Sequence, residues 1–210
     1  TREERMRLAR DVHPLLATRG PPGTHDIVLG CATIEALRRG EPCRLPRFDK
    51  ARDDRRPESE WPEAPAGCAV LILEGWCVGA LPQPARELQA PVNALEAEDD
   101  PQGIWRAYVN DALAAPYPRL FGQIDTLIFL QAPDFDVVLD WRVQQEEQLR
   151  VNSGGEGAHL MDRAQIARFI QHYERITRQL LREMPHRADM VVTLDAERRA
   201  DRIVIRAEGN

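Results

Sequence analysis

Apolar positions first recur at helical spacing near the start of the chain, where Met6, Ala9 and Val12 align with Leu8 alongside. They do so again where Ile27, Cys31, Ile34 and Leu37 share a face that stops near Gly40. Asp100, with Pro101 behind it, predicts a helix with Ile104, Tyr108 and Leu113 along one side and Pro116 as its end. Another opens at Asp136 and carries Val137, Trp141, Gln145 and Leu149 on one face. The longest stripe is Ile166, Phe169, Ile170, Tyr173, Ile176, Leu180 and Met184, behind an Asp162 and Gln165 spaced as a capping box. Strands are marked by unbroken apolar runs rather than by alternation. Residues 69–73 and 126–130 read as parallel strands buried on both faces, and 190–194 and 203–205 as two shorter ones.

The first of those runs ends in Glu74 and Gly75, where a strand's backbone reaches the surface. Ligands of open parallel sheets sit at that edge, so Glu74 is a candidate site acid; the competing reading is a strand-terminating carboxylate turned to solvent. Residues 19–26 form a rigid turn whose Thr24 is placed to cap the next helix, with Arg19 and His25 beside its free amide groups. That is either an anion site or an ordinary capped helix. Residues 45–57 crowd charges of both signs between prolines and read as a solvated loop, or as an ordered one lining a site. The stretch 81–99, rich in proline and acids, reads as a surface excursion. His172, on the polar side of its helix with Arg168 and Arg175, reads as solvated, and the glycines at 154, 155 and 157 mark a hinge or lid.

Composition narrows the class. At 210 residues the chain is read as one domain, 1–210, with a flexible lid region at about 142–161. A net charge of -6 with 30% charged residues argues against a broad nucleic-acid face, and no apolar run approaches the ~20 residues of a membrane span. The expectation is a cytoplasmic protein acting on a small molecule, without nucleic acid or membrane; the oligomeric state is open. Four cysteines without a C-x-x-C pair point to reduced thiols and away from zinc. Of 28 basic residues only Lys50 is lysine, which singles out a position where an ammonium was kept. The first residues, Thr-Arg-Glu-Glu, already lie in a helical pattern and lack an initiator Met, so the chain is expected to be part of something longer.

Four segments in order, RGPPGTHD (19–26), LPRFDKARDDR (45–55), LILEGWCVG (71–79) and WRVQQEEQL (141–149), resemble the D-glycerate 3-kinase group within the phosphoribulokinase and uridine kinase branch of P-loop kinases. The resemblance implies a three-layer P-loop NTPase-type α/β fold with a mostly parallel sheet and helices on both faces. It implies ATP and Mg²⁺ as cofactors and phosphoryl transfer to a hydroxyl of D-glycerate or a similar hydroxy acid. Glu74 would then act on Mg²⁺ through water, and Asp49, Lys50, Asp53 and Arg55 would line the acceptor pocket, with Arg19 and His25 opposite. Lys50 or Arg55 would hold the substrate carboxylate or offset charge on the transferring group. Arg142 would be the lid arginine, with Gln145 and Gln144 as polar support, and the turn 195–201 would border the adenine.

The chain departs from that family at one point. No glycine in it belongs to a G-x-x-x-x-G-K-S/T phosphate loop, so the loop and its preceding strand are expected upstream of Thr1, and without them 70–73 lacks a strand neighbour. The rival expectation is a non-catalytic binding or regulatory domain that kept the kinase fold. A metal-dependent hydrolase using Asp49, Asp53, Asp54 and Glu74 is the third, weakened by the lack of accompanying histidines.

Overall fold

The structure, a computed structural model, describes residues 1–65, 67–152 and 161–206. In chain order its elements are α1 (Arg2–Asp11), α2 (Ile27–Arg38), β1 (Phe48–Asp49), β2 (Asp54–Arg55), α3 (Ala94–Glu98), α4 (Ile104–Ala114), α5 (Tyr117–Phe121), β3 (Ile128–Gln131), α6 (Val137–Asn152), α7 (Arg163–Glu183), β4 (Met190–Leu194) and β5 (Ala200–Ile205). They fall into two compact units, one of residues 1–89 and 102–123 and one of 90–101 and 124–210. The glycines expected to mark a hinge or lid, at 154, 155 and 157, lie outside the described residues. No helix among the described residues is long and apolar enough to cross a membrane.

In the first unit, α2 and α4 pack on α5 around Ile27, Cys31, Trp105, Val109, Leu113 and Tyr117. Asp26, not Thr24, caps α2: its carboxylate accepts from the Leu29 amide at 3.0 Å. Thr24 is occupied inside the preceding turn, where its hydroxyl accepts from the Gly20 amide and donates to the Pro21 carbonyl. Nor does Asp100 start α4. The helix begins after Gly103, whose φ of 74° would strain any other residue and where an added Cβ would come within 3.1 Å of the Arg106 guanidinium. The buried face of α4 is Trp105, Arg106, Val109 and Leu113, leaving Ile104 exposed. Arg106 donates to the Leu88 carbonyl at 2.6 Å, and Asn110 exchanges two bonds with the Gln83 backbone, so residues 83–89 are pinned to this helix rather than loose.

Residues 69–75 form no ladder with any described residue, and Val70 and Ile72 are 76% and 83% exposed. A strand buried on both faces needs hydrogen-bonding neighbours on both edges. None of the described strands lies beside this segment, so its apolar side chains stay in contact with water.

In the second unit, β3 pairs parallel to β4, and β4 pairs antiparallel to β5. The apolar run expected to be buried on both faces becomes an edge strand, with Ile128 and Leu130 more than half exposed. Asp162 and Gln165 close the expected capping box on α7, and Phe135, Ile166 and Ile170 form a core against Val138, Leu139, Val143 and Met161. One polar residue of the supposed excursion, Glu96, is buried here. Arg175, expected on the polar side of α7, is 8% exposed and forks onto fully buried Glu96 of α3 at 2.8 and 2.6 Å, with a third bond to the Ala90 carbonyl. His172 is half-buried, its Nδ1 3.0 Å from the Phe169 carbonyl, and burial lowers its pKa.

Removing one member of such a pair strands the other charge in a poorly solvated site. Glu96→Ala is expected to destabilise the protein by about 3–5 kcal/mol in urea unfolding, and the double variant Glu96→Leu with Arg175→Met by distinctly less. A loss under about 1 kcal/mol for Glu96→Ala would show that the pair does not hold α3 on α7.

Candidate active site

The acidic and basic run 45–57 is an ordered hairpin rather than a solvated loop. β1 and β2 pair Phe48 with Arg55 and Asp49 with Asp54, and their stem continues through Leu45 to the Pro62 carbonyl and Ala64 to the Cys43 carbonyl. Two strands this short do not hold themselves together, so the tip is fixed by charge. Asp53 takes a left-handed φ of 54°, a conformation aspartate tolerates better than most residues. Its carboxylate accepts from Arg5 at 2.8 Å and pairs with Arg19, while Arg5 also reaches the Asp53 and Ala17 carbonyls. Arg19 lies over the Phe48 ring at 5.4 Å. Partial burial alone would raise the Asp53 pKa, but the Arg5 and Arg19 hydrogen bonds outweigh it and hold the carboxyl below the usual range.

Several of the expected site residues meet in this unit. Arg55 pairs with Asp26 at 2.7 Å and so joins the hairpin to the N-terminus of α2, one residue beyond His25. Asp49 accepts from the Arg52 and Ala51 amides, Arg56 lies 3.6 Å away, and these contacts lower its pKa. Lys50 stands exposed at the tip with no ion pair among the described residues. His25 Nδ1 lies 2.5 Å from the Tyr117 hydroxyl. Glu74 is exposed, and no hydrogen bond or ion pair among the described residues ties it to the others. Arg142 and Gln145 belong to the second unit. There Arg142 bonds Gln145 and, at 2.9 Å, nearly buried Glu146, and lies 5.6 Å over the Phe169 ring. The polar turn after β4 docks on α6: Trp141 donates to the Ala196 carbonyl, and Arg198 bonds Gln144.

The partners Arg5, Asp26 and Tyr117 were not singled out beforehand. Asp26 had a readable signal, an acid directly before the first apolar position of a helix. Arg5 and Tyr117 had none, because their partners are distant in sequence. All four cysteines are free thiols. No group of three or more His, Cys, Asp or Glu among the described residues could hold a metal ion. A magnesium ion held mainly by phosphate oxygens and water asks for only one or two carboxylates, a requirement that the single exposed carboxylate of Glu74 could meet.

No protein-family model matches the chain. Its fold is similar to the solved D-glycerate 3-kinase from Cryptococcus neoformans var. grubii, with a TM-score of 0.76 and 25% identity over 97% of this chain and 75% of that one. The fold is therefore an α/β fold of the P-loop kinase type. Within that class the sequence is 31% identical over 184 residues to a Schizosaccharomyces pombe protein named uncharacterized kinase mug58, covering 82% of this chain and 63% of that protein. It is 29% identical over 196 residues to the chloroplastic D-glycerate 3-kinase of Arabidopsis thaliana, covering 88% of this chain and 41% of that protein. In sequence and in fold the chain resembles the D-glycerate 3-kinase-like P-loop kinases; it spans less than two thirds of the length of these two curated relatives.

Because the Asp53 pKa is depressed in the folded state, its stabilisation is present above the ordinary aspartate pKa of about 4 and is lost as pH falls through the depressed value. Asp53→Asn, which keeps a residue tolerant of the left-handed region, is expected to cost about 1–2 kcal/mol at pH 7 and to flatten the acid limb of stability between pH ~5 and ~2. Urea midpoints at several pH values read both. Identical acid limbs in the two proteins would remove Asp53 from its role.

Proposed function

We propose that this chain is the acceptor-binding and acid-bearing portion of an ATP-dependent kinase that phosphorylates a hydroxyl of D-glycerate or a closely similar small hydroxy acid. The observation that carries this reading is the likeness to a solved D-glycerate 3-kinase over 97% of the chain. Mg-ATP would supply the phosphoryl group and offset charge on it. The rest of the proposal concerns this chain's own residues. Lys50 and Arg55, with Arg19 behind them, would meet the acceptor's carboxylate at the hairpin tip. Asp49 and Asp53 would orient its hydroxyls as hydrogen-bond acceptors, with His25 opposite. Phosphoryl transfer has a loose transition state, so catalysis rests on positioning and charge, and preformed cations and carboxylates serve that need.

Glu74 would hold Mg²⁺ through water. Arg142 would exchange Gln145 and Glu146 for phosphate oxygens, with Gln145 at the nucleotide. The phosphate-binding loop such a reaction needs is not among the 210 residues. In this reading it lies in sequence outside them, together with a strand that pairs with 70–73. A cytoplasmic location belongs to the same proposal.

The test is a coupled assay on the full gene product with Mg-ATP and a panel of D-glycerate, L-glycerate, uridine and a pentose. D-Glycerate is expected to be the preferred acceptor. Glu74→Gln should lower kcat by about 10²-fold or more with the KM for ATP changed less than about threefold, and Arg142→Ala should lower kcat with it. Nucleotide binding without transfer to any acceptor would favour a non-catalytic domain, and full turnover in Glu74→Gln would remove that residue from the site.

A further inference from the structure

Tyr117, at 2% exposure, is the largest fully buried side chain in the described part of the molecule, yet its hydroxyl is not inert. Its oxygen lies 3.0 Å from the Gly23 amide nitrogen and 2.5 Å from His25 Nδ1. An amide can only donate, so one lone pair of the hydroxyl is taken by Gly23. Among the described residues, His25 Nδ1 is then the acceptor at hydrogen-bond distance for the hydroxyl proton. Were Nδ1 protonated instead, the phenol oxygen would accept twice and its own O–H would be buried with nothing to donate to. The donor count therefore assigns Nδ1 as an acceptor and places the proton of the neutral imidazole on Nε2. The local backbone is built for this approach. Gly23 has a φ of 91°, and a Cβ there would come within 2.5 Å of the Tyr108 ring.

We propose that Tyr117 is a positioning residue that holds His25 as a neutral Nε2–H donor for the anionic acceptor of the proposed kinase. This rests on the reading that places His25 opposite the acceptor. His25 is exposed while its Nδ1 edge is turned to a buried phenol, which leaves the Nε2 edge as the one able to meet a ligand. The titratable groups around the pair do not compete for it. Asp26 is committed to the Leu29 amide and Arg55, and Tyr108 and Cys77 lie toward the Tyr117 side, the Cys77 thiol pushed up to about 11 by burial. Although the residue keeps an exposed edge, desolvation of the part of its ring packed against the protein lowers the His25 pKa, and protonation would also strand the Tyr117 hydroxyl proton. His25 thus donates a hydrogen bond across the physiological range and takes no proton from the substrate.

Nitrogen NMR of the ¹⁵N-histidine-labelled full gene product at pH 7 is the test. The expected result is an unprotonated, imine-type Nδ1 and a protonated, pyrrole-type Nε2 for His25, with the Nε2 resonance shifting on addition of D-glycerate. A protonated Nδ1, or an Nε2 unmoved by saturating D-glycerate, overturns the proposal. Tyr117→Phe should raise the acceptor KM about tenfold with a smaller change in kcat and move the His25 titration up toward its ordinary range. His25→Gln, whose amide can place an N–H where Nε2 stands, should retain more acceptor affinity than His25→Asn; equal losses count against a donated bond. Absence of any phosphoryl transfer would overturn the kinase reading instead, and the nitrogen shifts, which need no catalysis, would still decide the tautomer.

Discussion

The carboxylate of Asp53 between two arginines is the contact on which the first unit's candidate site depends. A hairpin with two residues per strand has too little ladder to stand alone, and a non-glycine residue in the left-handed region adds strain at its tip. Arg5, 4% exposed, carries a charge that must be paired where it sits, and Asp53 is the acid it meets. One carboxylate therefore satisfies helix α1, draws in Arg19 from the turn before α2, and sets where Asp49, Lys50 and Arg55 stand. The Arg55 pair with Asp26 extends the same constraint to the cap of α2 and to His25, whose ring is oriented in turn by Tyr117. The chemistry-bearing side chains of this unit are placed by ion pairs and caps more than by strand pairing.

The second unit solves a similar problem in its own interior. Arg175 and Glu96 are both withdrawn from water, and Glu96 also accepts from the Val92 amide at 3.0 Å, so one acid closes a loop and seats a helix. Asn93 completes the junction by bonding the Gln171 carbonyl and Glu174. Pairs of this kind seldom add much net stability over an apolar packing, but each partner makes the other costly to lose.

The regular parts of this architecture were legible in the sequence where pattern and cap agreed. The capping box of α7, the face of α2 headed by Ile27 and Cys31, and the span of β4 follow directly from periodicity. Errors arose where a charged residue turned inward. Arg175 read as solvent-facing and Glu96 as part of a surface excursion, because periodicity treats charge as surface, and only their pairing, across a long stretch of chain, reverses that. Apolar runs misled in the opposite sense. Residues 70–73 and β3 have the composition of doubly buried strands, but burial is conferred by neighbours that a local pattern does not contain. The candidate site was legible as a group of residue types in one charged segment. Of what holds the group together, Asp26 carries the signal of a helix cap, whereas Arg5 and Tyr117 have none.

The central claim is that the Asp53-anchored hairpin and the His25 turn form the acceptor side of a kinase site. It is tested most directly by a crystal structure of the full gene product with D-glycerate and a non-hydrolysable ATP analogue. The account predicts the acceptor's carboxylate within hydrogen-bond distance of Lys50 or Arg55, with His25 Nε2 on the ligand and the Arg5 and Arg19 contacts to Asp53 intact. D-Glycerate bound away from the hairpin, or bound with that tip rearranged and Asp53 released, would contradict it.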